Sequence, residues 1–393
     1  MSELEYLTVA DALHLVLQGV TPLPGERTLL LDALGRVLAE PVVAFDSLPP
    51  FANSSMDGYA LRAADVSEAS SASPANLQVV ADIAAGTVSE ATLGPGMAAR
   101  IMTGAPLPVG ADAVVPVEDT NEPWRDAERP LPEAILVYRS VRTGDYVRHI
   151  GEDIQAGQEV MSPGHILRPQ EIGVLASLGI SHVDVHRRPR IGVLATGDEL
   201  IDVEAPLAPG KIRNSNSYAQ AAQVIDLGAE LVSLGVARDT EDQVRAKLQV
   251  GLDAGADLLV SSAGVSVGAY DVVKAVLEQE GNVSFWRVRM RPGKPLGFGS
   301  YHGVPFLGLP GNPVSAMVSF ERFVRPTIRK MAGNTALERP QVTVTIEEDL
   351  DSDGRESYVR VQVKRTSQGY AALSTGSQGS HVLTSLVKAN ALM

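Results

Sequence analysis

The spacing of apolar residues near the start of the chain predicts an amphipathic helix. Val9, Leu13, Val16 and Val20 recur at helical intervals and therefore share one face. Thr8 stands just before them as a candidate N-cap, because its hydroxyl can accept a hydrogen bond from the first turn. We expect this helix to dock its apolar face on a larger body.

The segment that follows is patterned for strands instead. Short apolar runs alternate with turns rich in glycine and proline, which is typical of a β-rich domain. The runs lie at residues 59–62, 77–80, 98–101, 113–115 and 134–138. They predict a β-rich insert domain over residues 46–146, carried by a discontinuous N-terminal framework domain of residues 1–45 and 147–180.

Strand and helix patterns alternate from residue 181 to residue 333. Strands are expected at residues 191–195, 230–236, 258–260, 284–290 and 304–309, and helices at 218–227, 240–252, 272–280 and 314–331. This alternation predicts a doubly wound parallel sheet with helices on both faces. The tail, residues 334–393, returns to period two, so we expect a small C-terminal β-barrel domain. The fold class is therefore multidomain, α/β plus β.

Composition narrows the function more than the fold. The 393 residues carry a formal net charge of −14 and no cysteine. Nucleic acids and membrane surfaces are polyanionic and would repel such a chain, so we expect neither as a partner. The absence of cysteine excludes disulfides, thiolate metal sites and cysteine nucleophiles. The acidic start and the short apolar runs predict a cytoplasmic protein.

Glycines and polar residues gather where the predicted strands of the α/β domain end. Ligands bind at the carboxyl ends of strands in such sheets, so several polar loops there predict a site. The stretch after residues 258–260 suits a phosphate cradle beside a helix N-terminus, with an ordinary strand-to-helix turn as the alternative. The candidate substrate-binding residues on these loops are Ser261, Ser262, Gly264, Ser266, Gly268, Pro310, Gly311, Asn312 and Pro313.

One predicted strand carries a run of arginines. Arg287, Arg289 and Arg291 fall on one face, because strand side chains alternate. Three guanidiniums on one face suit an anion that they grip by paired hydrogen bonds, and Lys294 adds positive charge at the strand's end. A solvated face paired with acids is the alternative. This cluster would supply the basic patch that an acidic protein needs to hold an anion.

Three carboxylates lie on or beside the same loops. Glu199, Asp239 and Asp271 offer hard oxygen ligands, which Mg²⁺ prefers beside phosphates. Their alternative role is to place negative charge at helix N-termini. The seven histidines are scattered without metal-type spacing, so zinc is not expected.

Eight motifs share their order and spacing with one known family. They are Ser55-Met-Asp-Gly-Tyr59, Arg100-Ile-Met-Thr-Gly-Ala105, Gly151-Glu-Asp153, Thr196-Gly-Asp-Glu-Leu200, Asn214-Ser-Asn216, Ser262-Ala-Gly-Val-Ser-Val-Gly268, Arg291-Pro-Gly-Lys-Pro295 and Leu309-Pro-Gly-Asn-Pro-Val-Ser315. On these motifs the chain resembles, over essentially its whole length, the molybdopterin molybdenumtransferases of the bacterial MoeA type. It is similar also to the E domain of gephyrin.

This resemblance implies an elongated four-part subunit, a homodimer and a reaction. Members of the family take adenylylated molybdopterin and molybdate, insert the metal at the dithiolene sulfurs and release AMP in a Mg²⁺-dependent step. Their active cleft lies between the α/β domain of one subunit and the β insert of the other. Molybdopterin adenylyltransferase and apo-molybdoenzymes are the protein partners that the resemblance implies.

Position by position, the resemblance gives a catalytic role to Asp57, Thr103, Glu199, Asp239, Asp271, Arg287 and Arg291. It places Mg²⁺ on Glu199 and Asp271. Arg287 and Arg291 replace lysines that are common in the family, which keeps the charge but changes the geometry of anion binding. Ala263 replaces a usual glycine, which bears on how closely the backbone approaches a phosphate.

Two other functions stay open. A molybdopterin adenylyltransferase would carry a similar α/β domain, although the β insert and the tail argue against it. A non-catalytic scaffold or binding protein of the gephyrin type would not need acids at Asp57, Glu199, Asp239 and Asp271. The presence of these acids favours catalysis.

Overall fold

The chain forms two compact units. The structure, a computed structural model, describes residues 6–122, 130–263 and 272–393. The larger unit comprises Met1–Glu40, Pro163–Arg168 and His182–Met393, and the smaller unit comprises Pro41–Ser162 and Pro169–Ser181. The four-domain division expected from the sequence stays a prediction, because compactness separates these two units alone.

The described helices follow the sequence pattern closely. They are α1 (Val9–Gln18), α2 (Pro169–Ser177), α3 (Ser215–Asp226), α4 (Glu241–Asp253), α5 (Val272–Glu280), α6 (Pro313–Ser319), α7 (Arg325–Met331) and α8 (Thr384–Lys388). A π-helical turn, Phe320–Val324, joins α6 to α7, and 3₁₀ turns lie at Ala63–Val66 and Val117–Asp119.

The described strands are more numerous than predicted. They are β1 (Tyr6–Leu7), β2 (Gly25–Leu29), β3 (Val42–Val43), β4 (Asn53–Ser54), β5 (Gly58–Leu61), β6 (Ala75–Ile83), β7 (Met97–Ile101), β8 (Ala113–Pro116), β9 (Ala134–Val137), β10 (Val147–Arg148), β11 (Glu159–Met161), β12 (His182–His186), β13 (Arg190–Thr196), β14 (Leu200–Ile201), β15 (Ile212–Arg213), β16 (Glu230–Ala237), β17 (Leu258–Ser262), β18 (Gly281–Val288), β19 (Met290–Arg291), β20 (Pro295–Tyr301), β21 (Val304–Leu309), β22 (Thr345–Ile346), β23 (Glu356–Ser357), β24 (Arg360–Thr366), β25 (Gly369–Ser374) and β26 (Ala391–Leu392).

The first helix forms as its apolar spacing predicts. Thr8 Oγ1 accepts a hydrogen bond from the backbone N–H of Asp11 at 3.1 Å and donates to Asp11 Oδ2 at 2.6 Å. Val9, Val16 and Val20 are buried against the sheet of the larger unit. The predicted N-cap and the predicted docking face are both confirmed.

The larger unit is built on a seven-stranded sheet in the order β1-β18-β20-β21-β17-β13-β16. The four strands β16, β13, β17 and β21 run parallel, as the alternation predicts. In contrast, β20 runs antiparallel to both of its neighbours, β18 and β21. The expectation of a parallel sheet is therefore wrong on this side, and the sheet is mixed.

The antiparallel part results from β20, which the sequence pattern did not predict. Gly297 and Gly299 weaken its strand signal, yet a Cβ at Gly299 would lie 2.0 Å from Asn282 O across the strand pair. His302 and Gly303 join β20 to β21 with φ values of 46° and 84°, as in a two-residue type I′ turn. Such a turn reverses the chain, so β21 pairs antiparallel with β20.

Helices cover both faces of this sheet, because the strand side chains alternate between two cores. Val193 and Val260 bury against α1, α3 and the helix that runs from α6 to α7. Leu194 and Leu259 bury against α4 and α5 on the other face. Both cores are largely aliphatic, as the low aromatic content predicts.

A five-stranded sheet in the order β8-β5-β7-β6-β9 forms the centre of the smaller unit. It contains all five strands predicted between residues 46 and 146. At the start of β5, a Cβ on Gly58 would lie 2.0 Å from Val115 O. The sheet leaves no room for a side chain there, and this close fit fixes the loop that carries Asp57 into β5.

The tail forms a four-stranded sheet in the order β22-β25-β24-β26. Arg360 at its centre is 1% exposed and donates to Ser385 Oγ at 3.2 Å. The short strands β19 and β23 pair in parallel, with Met290 beside Glu356 and Arg291 beside Ser357, which connects the tail to the segment that follows β18. Within the described ranges, no helix has the length and hydropathy to cross a membrane.

Candidate active site

A cleft of about 930 Å³ lies in the larger unit at the carboxyl ends of three neighbouring parallel strands, β13, β17 and β21. This is the edge at which ligands bind in sheets of this kind. The cleft is lined by residues 196, 199–200, 212–216, 262–263, 291–295, 310–313, 315 and 378–380. Described residues of three of the predicted strand-end loops, 196–200, 262–263 and 310–313, therefore line one cleft, whereas Asp239 on a fourth loop does not.

The end of β17 brings a buried hydroxyl to the cleft. Ser262 is 2% exposed, and its Oγ has no hydrogen-bond partner among the described residues. A buried hydroxyl without a partner is costly, so an acceptor atom of a ligand would relieve it. Ser261 is fully buried, and its Oγ donates to Ala263 O at 3.4 Å instead of lining the cleft.

Ala263 occupies a backbone position suited to glycine. Its φ is 76°, a left-handed conformation that costs a residue with a Cβ about 1–2 kcal/mol. Its N–H donates to Leu309 O at 3.1 Å, which holds the end of β17 beside the end of β21. A Cβ at Gly311 would lie 3.4 Å from the Cβ of Ala263. The alanine therefore narrows the space next to the loop of residues 310–313.

Glu199 reaches the cleft because of the turn before it. Gly197 has a φ of 144°, which favours glycine, and a Cβ there would lie 2.4 Å from Glu199 Oε2, so a larger residue would displace the Glu199 carboxylate. Asp239 does not line the cleft. Its Oδ2 accepts from the N–H of Asp198 at 3.2 Å, and Asp198 Oδ1 accepts from the N–H of Asp239 at 3.4 Å. Asp239 thus braces the loop that carries Glu199.

The start of α3 braces the opposite loop. Asn216 Nδ2 donates to Gly311 O at 2.7 Å, which fixes the loop of residues 310–313. Asn214 is the N-cap of α3, and its side chain accepts from the N–H of Ser217 at 3.2 Å. The N-terminus of a twelve-residue helix therefore opens beside the cleft, where its dipole favours negative charge.

The cleft lining carries more positive than negative charge. Arg213, Arg291 and Lys294 stand against one carboxylate, Glu199. This excess occurs in a chain whose formal net charge is −14. A concave site with a local positive excess attracts anions although the whole molecule repels them.

Tyr6 links two of the predicted basic residues. Lys294 Nζ lies 5.3 Å and the Arg287 guanidinium 5.8 Å from the centroid of the Tyr6 ring. Arg287 Nη1 donates to Tyr6 Oη at 3.4 Å. Hydrogen bonds from Lys294 and then from Arg287 hold the pKa of Tyr6 below its usual value. Arg287 lies outside the lining and shares the Tyr6 ring with the cleft residue Lys294.

Of the three arginines on the predicted face, Arg291 is the one that lines the cleft. Its Nη1 lies 3.5 Å from Asp353 Oδ2. Hydrogen bonds from Arg355 lower the pKa of Asp353 to about 2, so this carboxylate stays charged beside Arg291. The chain passes from β18 to β19 at Arg289, which is exposed and outside the lining.

Asp57 and Thr103 meet in the smaller unit, although they are far apart in sequence. Asp57 Oδ1 accepts from the N–H of Thr103 at 2.7 Å and from Thr103 Oγ1 at 2.9 Å. Both residues are exposed. Both were predicted as site residues; one carboxylate oxygen of Asp57 binds both donors of Thr103, and the other has no hydrogen bond to the described part of the chain.

Part of the predicted phosphate cradle lies outside the described residues. The residues concerned are Gly264, Ser266, Gly268 and the predicted metal ligand Asp271. In the part of the chain that the structure describes, no group of three or more His, Asp or Glu side chains could hold a metal ion. Glu199 is the one carboxylate among the described residues that line the cleft. One carboxylate there fits Mg²⁺, because this ion commonly takes one or two protein carboxylates and completes its shell with phosphates and water.

Sequence reasoning missed several residues of the cleft. Asn216 lies in a motif that was recognised, but its bond to the loop of residues 310–313 spans most of the domain and leaves no local pattern. Arg213 and the tail residues Gln378 and Ser380 line the cleft without any signal in spacing or composition. Tyr6 could have been found only from the pairing of β1 with β18, where it stands opposite Arg287.

Three family models together match most of the chain. The MoeA N-terminal region (domain I and II) matches residues 7–179, a probable molybdopterin binding domain matches 192–330, and the MoeA C-terminal region (domain IV) matches 343–393. The second match contains seven of the eight segments of the cleft lining, and the third contains residues 378–380.

Relatives and solved structures agree with these models. The chain is 41% identical to molybdopterin molybdenumtransferase 2 of Mycobacterium tuberculosis, over 93% of this chain and 89% of that protein. It is 38% identical to the molybdopterin molybdenumtransferase of a Nostoc species, over 98% and 89%. The crystal structure of a molybdopterin biosynthesis moeA protein from Pyrococcus horikoshii matches with a TM-score of 0.84 at 30% identity, covering 99% of this chain and 95% of that one. The chain therefore belongs to the MoeA family.

Proposed function

We propose that this chain is a molybdopterin molybdenumtransferase. It takes adenylylated molybdopterin and molybdate, transfers the metal to the dithiolene sulfurs and releases AMP. The observation that carries the proposal is the cleft at the carboxyl ends of β13, β17 and β21, with three cations against one carboxylate. Both substrates are anions, and the cleft is a basic concave site in an otherwise acidic chain.

The described residues divide the binding task between them. Lys294 and Arg291 attract the anionic groups, and Arg291 can offer two parallel donors to one anion. Ser262 Oγ donates to an oxygen of the bound phosphate, which gives the buried hydroxyl its missing partner. Asn216 holds the loop of residues 310–313 in place for the adenylyl group. Catalysis by positioning and electrostatics needs such preorganised donors.

Magnesium has a defined place in this proposal. Glu199 would be one protein ligand of the ion. Asp271, which lies outside the described residues, is the second proposed ligand. When bound, Mg²⁺ offsets the negative charge of the phosphates. Gly197 leaves space for the carboxylate of Glu199, and Asp239 accepts a hydrogen bond from the loop that carries Glu199. The chain itself therefore contributes a carboxylate oxygen in a fixed position beside the cationic side chains of the cleft.

The proposal extends to assembly and fold. We propose a homodimer in which Asp57 and Thr103 of a second subunit orient the pterin or a water molecule. The described sheets would then correspond to a doubly wound α/β domain, a β-rich insert and a C-terminal β barrel. Molybdopterin adenylyltransferase and apo-molybdoenzymes are its proposed protein partners, as donor and acceptor of the pterin, in the cytoplasm.

One reaction tests the proposed function directly. The purified protein is incubated with adenylylated molybdopterin, Mg²⁺ and molybdate, and both AMP release and activation of an apo-molybdoenzyme are measured. We expect AMP release that depends on molybdate and matches the activation. AMP at the level of a protein-free control would refute transferase activity and leave a scaffold role. AMP without activation would mean hydrolysis without metal transfer.

Two comparisons locate the reaction. Arg291→Ala and Asp271→Asn should lower turnover while the protein stays folded, and Lys364→Ala, an exposed change on β24, serves as their control. For the dimer, Asp57→Asn and Lys294→Ala variants are assayed separately and after mixing under conditions that exchange subunits. Recovered activity supports a shared site. Activity equal to the average of the two variants, with hybrid dimers present, contradicts it.

A further inference from the structure

A second cavity of about 430 Å³ in the larger unit lies apart from the cleft and shares no residue with it. We call it the arginine pocket. It is lined by residues 34–37, 166, 186–189, 226–228, 325, 329, 332, 334 and 339. Six of these residues are arginines: Arg36, Arg187, Arg188, Arg325, Arg329 and Arg339. The lining contains one carboxylate, Asp226.

Acidic residues behind the lining balance only part of this charge. Arg36 pairs with Glu26, Arg187 pairs with Asp257 at 2.7 Å, and Arg339 shares Glu321 with Arg325. Together with Asp226 this makes four carboxylates for six guanidiniums. The excess is two positive charges in a chain whose net charge is −14.

Arg188 and Arg329 are the two that have no acidic partner within the described ranges. Arg188 Nη1 donates to Gly228 O at 3.4 Å, and Arg329 Nε donates to Ala336 O at 3.0 Å. A guanidinium has five N–H donors, so most donors of both residues lack a protein acceptor among the described residues. These donors are available to a ligand.

The position of Arg329 is unfavourable without an anion. Arg325 and Arg329 stand one helical turn apart on α7, where like charges repel. Arg325 is 6% exposed, and its buried Nε lies 3.4 Å from Glu321 Oε1 without the geometry of a hydrogen bond. Burial, and then the neighbouring Arg339, lower the pKa of Arg329. A bound anion would relieve both the repulsion and the cost of burial.

Apart from Asp226, His186 and Asn334, the rest of the lining is apolar. Leu34, Val37, Ile166, Leu227 and Ala332 complete the walls between the arginines. The volume falls in the range of small-molecule sites and exceeds what a simple inorganic anion needs. The pocket thus combines a cationic patch with an apolar wall, which fits a ligand that has an anionic group on an apolar or ring-shaped body.

We propose that the arginine pocket is a second ligand site, which binds a small phosphate ester through Arg188 and Arg329. Guanidiniums suit phosphate because their planar forks match its oxygens in paired hydrogen bonds. The remaining arginines hold the pocket open: Arg325 Nη1 donates to Leu337 O at 2.8 Å, and Arg36 Nη2 donates to His186 O at 2.8 Å. The proposal is independent of molybdenum transfer in the cleft.

Calorimetric titration with phenyl phosphate tests the proposal, with phenol as the neutral comparison. Because the cleft also attracts anions, three full-length proteins are compared: wild type, a cleft variant with Arg291→Ala/Lys294→Ala, and a pocket variant that adds the double change Arg188→Ala/Arg329→Gln to the cleft variant. We expect the cleft variant to keep one binding site and the pocket variant to lose it, with affinity at least about 10-fold weaker. Phenol should not bind at the same concentrations.

Each other outcome overturns the proposal. Loss of all binding in the cleft variant would place the anion in the cleft alone. Equal affinity in the pocket variant, or equal binding of phenol, would remove the arginines from recognition. If Arg329→Gln lowers the melting temperature while the wild type binds nothing, the arginines serve only to hold residues 334–339. Should the double variant not fold, Arg188→Ala alone provides the same comparison, because Arg188 is exposed.

Discussion

The cleft and the arginine pocket are both basic cavities in the larger unit, but their cations are held in different ways. In the pocket, the half-buried Arg36 and the buried Arg325 bind acids and backbone carbonyls. In the cleft, Lys294 contacts the ring of Tyr6, and the buried hydroxyl of Ser262 has no hydrogen-bond partner among the described residues. The protein therefore uses some pocket arginines for stability and leaves the cleft groups for a ligand.

The largest effect should come from Arg325→Ala, which tests the structural side of the comparison. It removes the bond to Leu337 O and leaves Glu321 with a weaker set of partners, so we expect the free energy of unfolding to fall by about 2–3 kcal/mol. Urea unfolding followed by Trp286 fluorescence in a Trp124→Phe background reports on the larger unit. Arg188→Ala, at an exposed residue of the same pocket, is the control and should shift stability by less than about 0.5 kcal/mol.

Next in size is Lys294→Ala, which should affect activity and not stability. Removing one preorganised cation from an anion site lowers kcat/KM by about 100-fold. The unfolding midpoint should stay within error, because Lys294 is only half-buried and Tyr6, which it contacts, is 53% exposed. AMP release gives the rate, with Lys364→Ala as the matched lysine. A loss of stability without a loss of rate would contradict the comparison, because Lys294 would then stabilise the fold as the pocket arginines do.

Asn216→Ala should have a smaller effect on the cleft. The change removes the bond from Asn216 Nδ2 to Gly311 O, whose net value is about 1 kcal/mol. A looser loop at residues 310–313 should raise KM for the adenylylated substrate several-fold with a modest change in kcat. Tyr218→Ala, an exposed change on the same helix, should leave KM unchanged. Equal effects of the two substitutions would contradict a role for the loop.

The smallest effect, and the only favourable one, is expected from Ala263→Gly. Relief of the left-handed φ is worth about 1–2 kcal/mol, part of which is offset by the greater freedom of glycine in the unfolded chain. We expect a net stabilisation of about 0.5–1 kcal/mol by urea unfolding. Ala219→Gly within α3 is the opposite control, since it should destabilise by about 1 kcal/mol.

Most elements could be predicted from the sequence because their signals are local. The spacing of Val9, Val16 and Val20 gave α1, and Thr8 gave its cap. The alternation of apolar runs gave the parallel strands β13, β16, β17 and β21. The antiparallel strand β20 was missed because its glycines read as a loop, whereas the structure uses Gly299 for close approach of the neighbouring strand.

The site was predictable only as far as strand ends determine it. Glu199, Ser262 and residues 310–313 follow strands whose carboxyl ends meet, so the topology brings them together. Arg287 shows the limit of this reasoning. Alternation with a period of two predicts which way side chains point on a regular strand, but it does not predict where that strand ends. Residues of the arginine pocket come from segments far apart in sequence, and no motif marks them.

The turn at His302 and Gly303 also bears on the order in which the larger unit folds. It lets β20 and β21 pair across a loop of two residues. The chain between β13 and β17, in contrast, includes α3, β16 and α4, so pairing of these two strands closes a much longer loop. Closing a short loop loses less chain entropy, so contacts close in sequence form early. We expect pulse-labelled hydrogen exchange to find amides of β20 and β21 protected before those of β13. The antiparallel hairpin that the sequence concealed would then be the template on which the parallel strands assemble.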